Sequence, residues 1–127
     1  MEKDWTWLKM QPEGQFLERK SCYGRTDKTP NPRPIKEVVR DVAEALAAMA
    51  NADGGTVVLS IEEDGTVSGV PDKYHRDAIW RQLQDLVRPR LNFRFEEITL
   101  EGRRIWVFET DWSVDVHQLT DGRYLFR

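Results

Sequence analysis

Sulfur and imidazole are scarce in this chain, whose 127 residues include one cysteine, Cys22, and two histidines. A lone thiol excludes an internal disulfide and a cysteine-based zinc site, and it suits a reducing, cytoplasmic setting. Long apolar runs are also missing. No stretch approaches the roughly 18 apolar residues of a membrane span, and the opening MEKDWTW has no secretory hydrophobic region. Nor is there an excess of positive charge, since 19 Lys and Arg face 22 Asp and Glu for a net charge of −3. That balance counts against a generic nucleic-acid binder. Internal repeats and low-complexity tracts are absent. What remains is 39% hydrophobic and 32% charged, the make-up of one ordinary globular domain with a real core.

The distribution of charge says more than its sum. Arg19, Lys20, Arg25, Lys28, Arg33, Lys36 and Arg40 follow one another with only Asp27 and Glu37 between them. The acids gather at Glu62-Glu63-Asp64, at Glu96-Glu97 and from Asp111 to Asp121. A basic stripe on an acidic protein can track a phosphate backbone, or it can be a solvated loop and helix face.

Trp5 and Trp7 belong to an arm over residues 1–11, expected as a short strand or a segment docked on the body or on a second copy. GQFLERKS reads as a strand, and CYGRTDKTPNPRPI, with its prolines, as a long loop. Ile35, Val38, Val39, Val42, Leu46 and Met49 recur at helical spacing behind Pro34, which suits a first turn. NADGG stops that helix; Gly54-Gly55 could alternatively offer N–H groups to phosphate. TVVLSI reads as a buried strand and TVSGV as a short one. HRDAIWRQLQDLVRP is a second amphipathic helix, with Ile79, Leu83, Leu86 and Val87 inward, His75 as a cap or in solvent, and Pro89 at its end. FRFEEITLEGRRIWVFET reads as a hairpin with a bulge at Glu96-Glu97, where Phe93 and Phe95 fall out of register with Ile98 and Leu100. RYLFR closes the chain as a strand. The expectation is a single α+β domain over residues 12–127, with a mixed or antiparallel sheet and two amphipathic helices packed on it.

Glu13 and Glu18 pose the chemical question. Five residues apart, they point to opposite faces of a strand, or roughly 140° apart around a helix, unless the chain turns near Gly14. If their strand pairs beside TVVLSI, Glu62 or Glu63 comes near them. Three such carboxylates could hold magnesium or manganese and activate a water against a phosphodiester, with Arg19 and Lys20 on the phosphate. They could equally be surface acids at strand ends. Asp115 and His117 are a weaker pair of possible metal ligands. Trp80, Trp106 and Trp112 are available for base stacking or for packing.

EGQFLERK resembles the opening E-x-x-x-x-E-[F]-K block of the Schlafen AlbA-like domain. AMANADGGTVVLSIEEDGTVSGV is similar to its second block, A-F-A-N-T-x-G-G-x-[LV]-x-I-G-[IV]-D-D-x-G-x-[IV]-x-G. The resemblance runs from about Pro12 to GRYLFR. It implies a DNA-binding module of the kind found at the front of larger bacterial regulators. A second implication comes from vertebrate Schlafens, whose related lobes cut structured RNA such as tRNA with three acids. Motif matching places those acids on Glu13, Glu18 and Glu63, with Lys20 as the neighbouring base. The chain departs from the pattern at Arg19, where the family has Phe, at Ser60, where it has Gly, and at Glu63, where it has Asp. Nucleic-acid contacts are expected from Arg19, Lys20, Arg25, Lys28, Arg33 and Lys36. A metal-dependent endoribonuclease is the alternative reading, and a protein-interaction or dimerisation module a third. A homodimer that buries Trp5 and Trp7 is expected as well.

Overall fold

The computed structural model describes residues 4–26 and 29–127. The elements in chain order are α1 (Trp7–Met10), β1 (Leu17–Lys20), β2 (Tyr23–Thr26), β3 (Thr29–Pro32), α2 (Ile35–Ala50), β4 (Gly55–Leu59), α3 (Arg76–Leu86), β5 (Val87–Arg88), β6 (Phe93–Leu100), β7 (Arg103–Thr110) and β8 (Gln118–Leu119). They form an α+β fold around a four-stranded sheet of order β1-β4-β7-β6, with β2-β3 and β5-β8 as separate two-stranded pairs. β1 runs parallel to β4, with Leu17 opposite Thr56 and Lys20 opposite Leu59, and α2 lies in the connection between them, as a parallel crossover requires. The other two ladders are antiparallel. Among the described residues no helix is long and apolar enough to cross a membrane.

Each face of the sheet has its own core. Val57, Leu59, Trp106 and Phe108 pack under α2 and α3 through Val38, Val42, Leu46, Ile79 and Leu83. On the other face Leu17, Val58, Ile105 and Val107 meet Leu8 of α1, with Trp5 and Trp7 partly buried against them. The arm therefore docks on its own domain as a short helix, and Leu8 rather than a tryptophan is its fully buried residue.

Three expectations change. CYGRTDKTPNPRPI is not a loop but the β2-β3 hairpin, with Thr26 opposite Thr29 and Tyr23 opposite Pro32. Arg33 donates its N–H to the Cys22 carbonyl at 2.8 Å. Alternation from that bond puts Asn31 and Thr29 in bonding positions and turns the missing N–H groups of Pro30 and Pro32 to the outer edge, where proline is tolerated. The second change concerns the expected bulge at Glu96-Glu97. The ladder from Phe93 opposite Thr110 to Leu100 opposite Arg103 is unbroken. Phe93 and Phe95 serve the helix-covered core and Ile98 and Leu100 the opposite one, so the change of phase marks a change of covered face. The turn is Glu101-Gly102 with φ of 52° and 73°, as a two-residue hairpin turn demands. Third, TVSGV and RYLFR supply only isolated bridges, Ile61 with Val67 and Gln118 with Tyr124.

A hairpin and a cleft at the end of the parallel strands

β1 and β4 end side by side, and the chain leaves them in different directions. Past Lys20 it enters the β2-β3 hairpin, and past Leu59 it turns through Ser60 and Ile61 into the acidic turn 62–65. Between the two exits lies a cleft of about 490 Å³ lined by Arg19, Lys20, Ser21, Tyr23, Ile61, Glu62, Glu63 and Asp64. Lys20 and Glu63 thus share one cleft, and Glu62 is held by the Ser68 hydroxyl at 2.8 Å.

Glu18 and Lys20 lie on the same side of β1, as residues two apart must, with Lys20 Nζ 3.6 Å from Glu18 Oε2. Glu18 Oε1 also takes Arg127 Nη1 at 3.0 Å, and Arg127 Nη2 donates to the Gly14 carbonyl at 2.7 Å. Glu13 does something different: its Oε2 accepts the backbone N–H of Arg19 at 3.3 Å, capping the outer edge of β1. Neither Glu13 nor Glu18 lines the cleft that holds Glu63. Among the described residues no three His, Cys, Asp or Glu side chains are grouped to hold a metal ion. Magnesium or manganese therefore does not fit these three glutamates as they are arranged.

Arg19 is 8% exposed. Its Nε donates to the Leu8 carbonyl at 2.8 Å and its Nη2 to the Gln11 carbonyl. The guanidinium thus supplies carbonyls that the short α1 leaves without intrahelical partners. Its main work is to fasten the arm, and an aromatic side chain at this position could not do that.

The root of the hairpin is pinned from several sides. Arg33 pairs with Asp41 at 2.8 Å and donates to the Ser21 carbonyl at 3.1 Å. Tyr23 donates to the Gly69 carbonyl at 2.8 Å, and Tyr74 to the carbonyl of Arg33. Beneath it, burial pushes the Cys22 thiol up to about 11, against a weaker opposing bond from the Ser60 hydroxyl. This cysteine is packing, not a nucleophile. Burial raises the phenols of Tyr23 and Tyr74 as well. Arg25 stands on β2, and Lys28 lies outside the described residues. Lys36 and Arg40 are both exposed on α2, one turn apart and hence on one face.

Other sequence candidates resolve into structure. The Gly54 N–H goes to the Met49 carbonyl at 2.7 Å, and a Cβ at Gly54 would meet the Thr110 carbonyl at 2.7 Å, so Gly54-Gly55 is a helix stop against β7. His117 is buried, its Nδ1 2.6 Å from the Pro89 carbonyl and its Nε2 3.0 Å from the Ser113 hydroxyl. Because a carbonyl only accepts, Nδ1 carries a proton toward Pro89. His75 sits at the N-cap of α3 without a side-chain cap bond. Trp106 is buried with its Nε1 on Glu97 at 2.8 Å, whereas Trp80 and Trp112 are 47% and 60% exposed. Sequence reading misses Asn51, whose Nδ2 donates to the carbonyls of His117 and Leu125 and whose Oδ1 accepts the His117 N–H at 2.7 Å. It ties the last segment to the end of α2, and its only sequence signal is the helix stop around it.

The model of the Schlafen AlbA_2 family matches residues 13–127. The chain belongs to that family. The Schlafen AlbA_2 fold also appears in solved structures. One is the crystal structure of the DIP2311 protein from Corynebacterium diphtheriae, at 19% identity and a TM-score of 0.73, covering 89% of this chain and 20% of that one. Another is the solution structure of the N-terminal domain of a Nitrosomonas europaea protein related to the ATP-dependent DNA helicase RecG. It shares 21% identity at a TM-score of 0.53 and covers 86% of this chain and 70% of that one. This chain therefore spans only a fifth of the length of the Corynebacterium protein. No curated protein sequence matches it. The fold gives the AlbA_2 pattern a physical reading at Ser60, whose φ of 77° lies in the left-handed region that favours the family's glycine.

Proposed function

We propose that this chain is a nucleic-acid-binding domain that presents the β2-β3 hairpin to the phosphate backbone. The observation that carries the reading is the hairpin itself. It is a two-stranded ribbon that pairs with neither other sheet and has a root clamped by Arg33, Tyr23 and Tyr74. A two-stranded ribbon fits the major groove, about 12 Å wide, and a rigid root limits the entropy lost when it docks. Arg25 stands on this ribbon and Lys28 falls between its two strands in the sequence, while Lys36 and Arg40 are exposed on α2. Family membership and the helicase relationship of one structural neighbour support the same reading. An overall charge of −3 then has a use, since it keeps non-specific attraction low while the local stripe makes contact.

Catalysis is left out of the proposal, because Glu13 is taken up by the Arg19 N–H and Glu18 by Lys20 and Arg127, and among the described residues no three acids are grouped to hold a metal ion. The test is binding of tRNA and of a short DNA duplex across a salt series, for the parent chain and for Arg25→Ala/Lys28→Ala. The slope of log affinity against log salt should flatten by about two phosphate contacts in the double variant. An unchanged slope removes the hairpin from the interface.

A further inference from the structure

The four-stranded sheet has two edges, and the chain treats them differently. Phe16 and Lys20 turn their carbonyls to β4, where Thr56 and Ser60 donate to them at 2.8 and 2.9 Å. Leu17 and Arg19 therefore face outward. Both outward positions are partly filled by the chain itself: Gly14 donates to the Leu17 carbonyl at 3.1 Å, and Glu13 accepts the Arg19 N–H. The β1 edge is short and closed to further pairing.

β6 is twice as long and has no such cover. Its two-residue turn makes Leu100 and Arg103 the closing bonded pair. Alternation then turns Leu100, Ile98, Glu96 and Arg94 to β7, and Phe93, Phe95, Glu97 and Thr99 to the open side. Among the described residues no backbone hydrogen bond reaches the open side of these four. An exposed edge of this length is a template for another strand unless its charges forbid it.

We infer that β6 pairs antiparallel with β6 of a second copy about a two-fold axis at Phe95. The charges on the strand select this register. Centring the axis on Glu96 sets two Glu96 carboxylates face to face, and centring it on Glu97 does the same for Glu97. Centring it on Arg94 opposes two guanidiniums. With Phe95 at the centre, Arg94 of each copy lies opposite Glu96 of the other, twice over. Those pairs are non-hydrogen-bonded positions, where cross-strand side chains come closest. Both residues are exposed, and Arg94 already tolerates carboxylate partners in Asp111 at 3.1 Å and Glu109 at 3.6 Å. Phe95 is held ready by Phe108 and Trp106, with ring centroids 4.8 and 5.6 Å away, and by Arg76 above it at 5.4 Å. Trp80, tilted against Phe93 with ring centroids 6.4 Å apart and half exposed, adds apolar surface beside the seam. A strand-to-strand contact alone buries less than a standard interface, so the association is weak and concentration-dependent. The same pairing would make one continuous eight-stranded sheet and leaves both β2-β3 hairpins free.

Sedimentation velocity on the whole chain over a rising concentration series tests this. The weight-average mass should climb toward that of a dimer. Arg94→Glu and Glu96→Arg should each weaken association by about tenfold, because each replaces two attractive pairs with two like-charged ones. The double variant Arg94→Glu/Glu96→Arg restores the pairing and should recover most of the affinity. Hydrogen exchange on the unmodified chain is a second readout that needs no variant. Amides of Phe95 and Glu97 should slow as concentration rises, while those of Ile98 and Leu100 stay as they are. A monomer mass at the highest concentration, single variants without effect, a double variant that fails to recover, or amide rates independent of concentration would each overturn the inference.

Discussion

The two faces of the central sheet are closed by different means. One is covered by α2 and α3, whose stripes from Val38 to Leu83 run over Val57, Leu59, Trp106 and Phe108. The other is covered by a four-residue helix and two half-buried tryptophans. An isolated turn of helix has almost no stability of its own, so the arm depends on directed bonds from the body. Arg19 supplies them at Leu8 and Gln11, and Lys9 pairs with Glu101 at 2.5 Å in solvent. A face closed by long helices draws on many interchangeable apolar contacts. A face closed by an arm rests on a few groups, each of them specific.

The sharpest way to break this contrast is to truncate one buried leucine on each side. Leu46→Ala should cost about 3 kcal/mol and lower the midpoint of a single cooperative transition. Leu8→Ala should cost about 2 kcal/mol but release the arm ahead of the sheet, seen as an early change in tryptophan fluorescence. One shared transition for both variants would mean that the arm is part of the same cooperative unit.

Arg19→Met comes next, at about 1–3 kcal/mol, since two carbonyls lose their donor while the apolar stem is kept. Limited proteolysis should then cut between Trp5 and Gln11, with the far-ultraviolet spectrum of the remainder unchanged. Global unfolding instead would assign Arg19 to the core of the whole domain.

The smallest effect has the opposite sign. Ser60→Gly relieves a left-handed residue at the junction of the two faces and should stabilise by about 1 kcal/mol. The loss of the Ser60 hydroxyl's weak bond to Cys22, at 3.1 Å, offsets part of that gain. A lower melting temperature in the glycine variant would show that the hydroxyl matters more than the backbone.

Spacing along the chain is enough to read α2, α3, the buried strand β4 and the α+β class. Helical recurrence from Ile35 to Met49 and an unbroken apolar run such as TVVL each admit few other burials. The order of these elements allows β1 beside β4 without requiring it; the fold makes that pairing and with it brings Lys20 near the acidic turn. Much of the site is less legible. Proline argues for loop by local preference, but whether Pro30 and Pro32 break a strand depends on which way their nitrogens face, and the Arg33–Cys22 bond between the two ends of the segment settles that. The phase change in β6 looks like a bulge until both faces of the sheet are known to be covered. Arg19, Glu13 and Glu18 read as a charged group with one purpose. Packing sends the first inward to the arm, the second to the strand edge and the third to Lys20 and Arg127. Periodicity reports which side of an element is apolar, because that is a property of neighbours in the chain. Which partner a charge meets depends on residues far away in sequence, and only the folded arrangement brings them within reach.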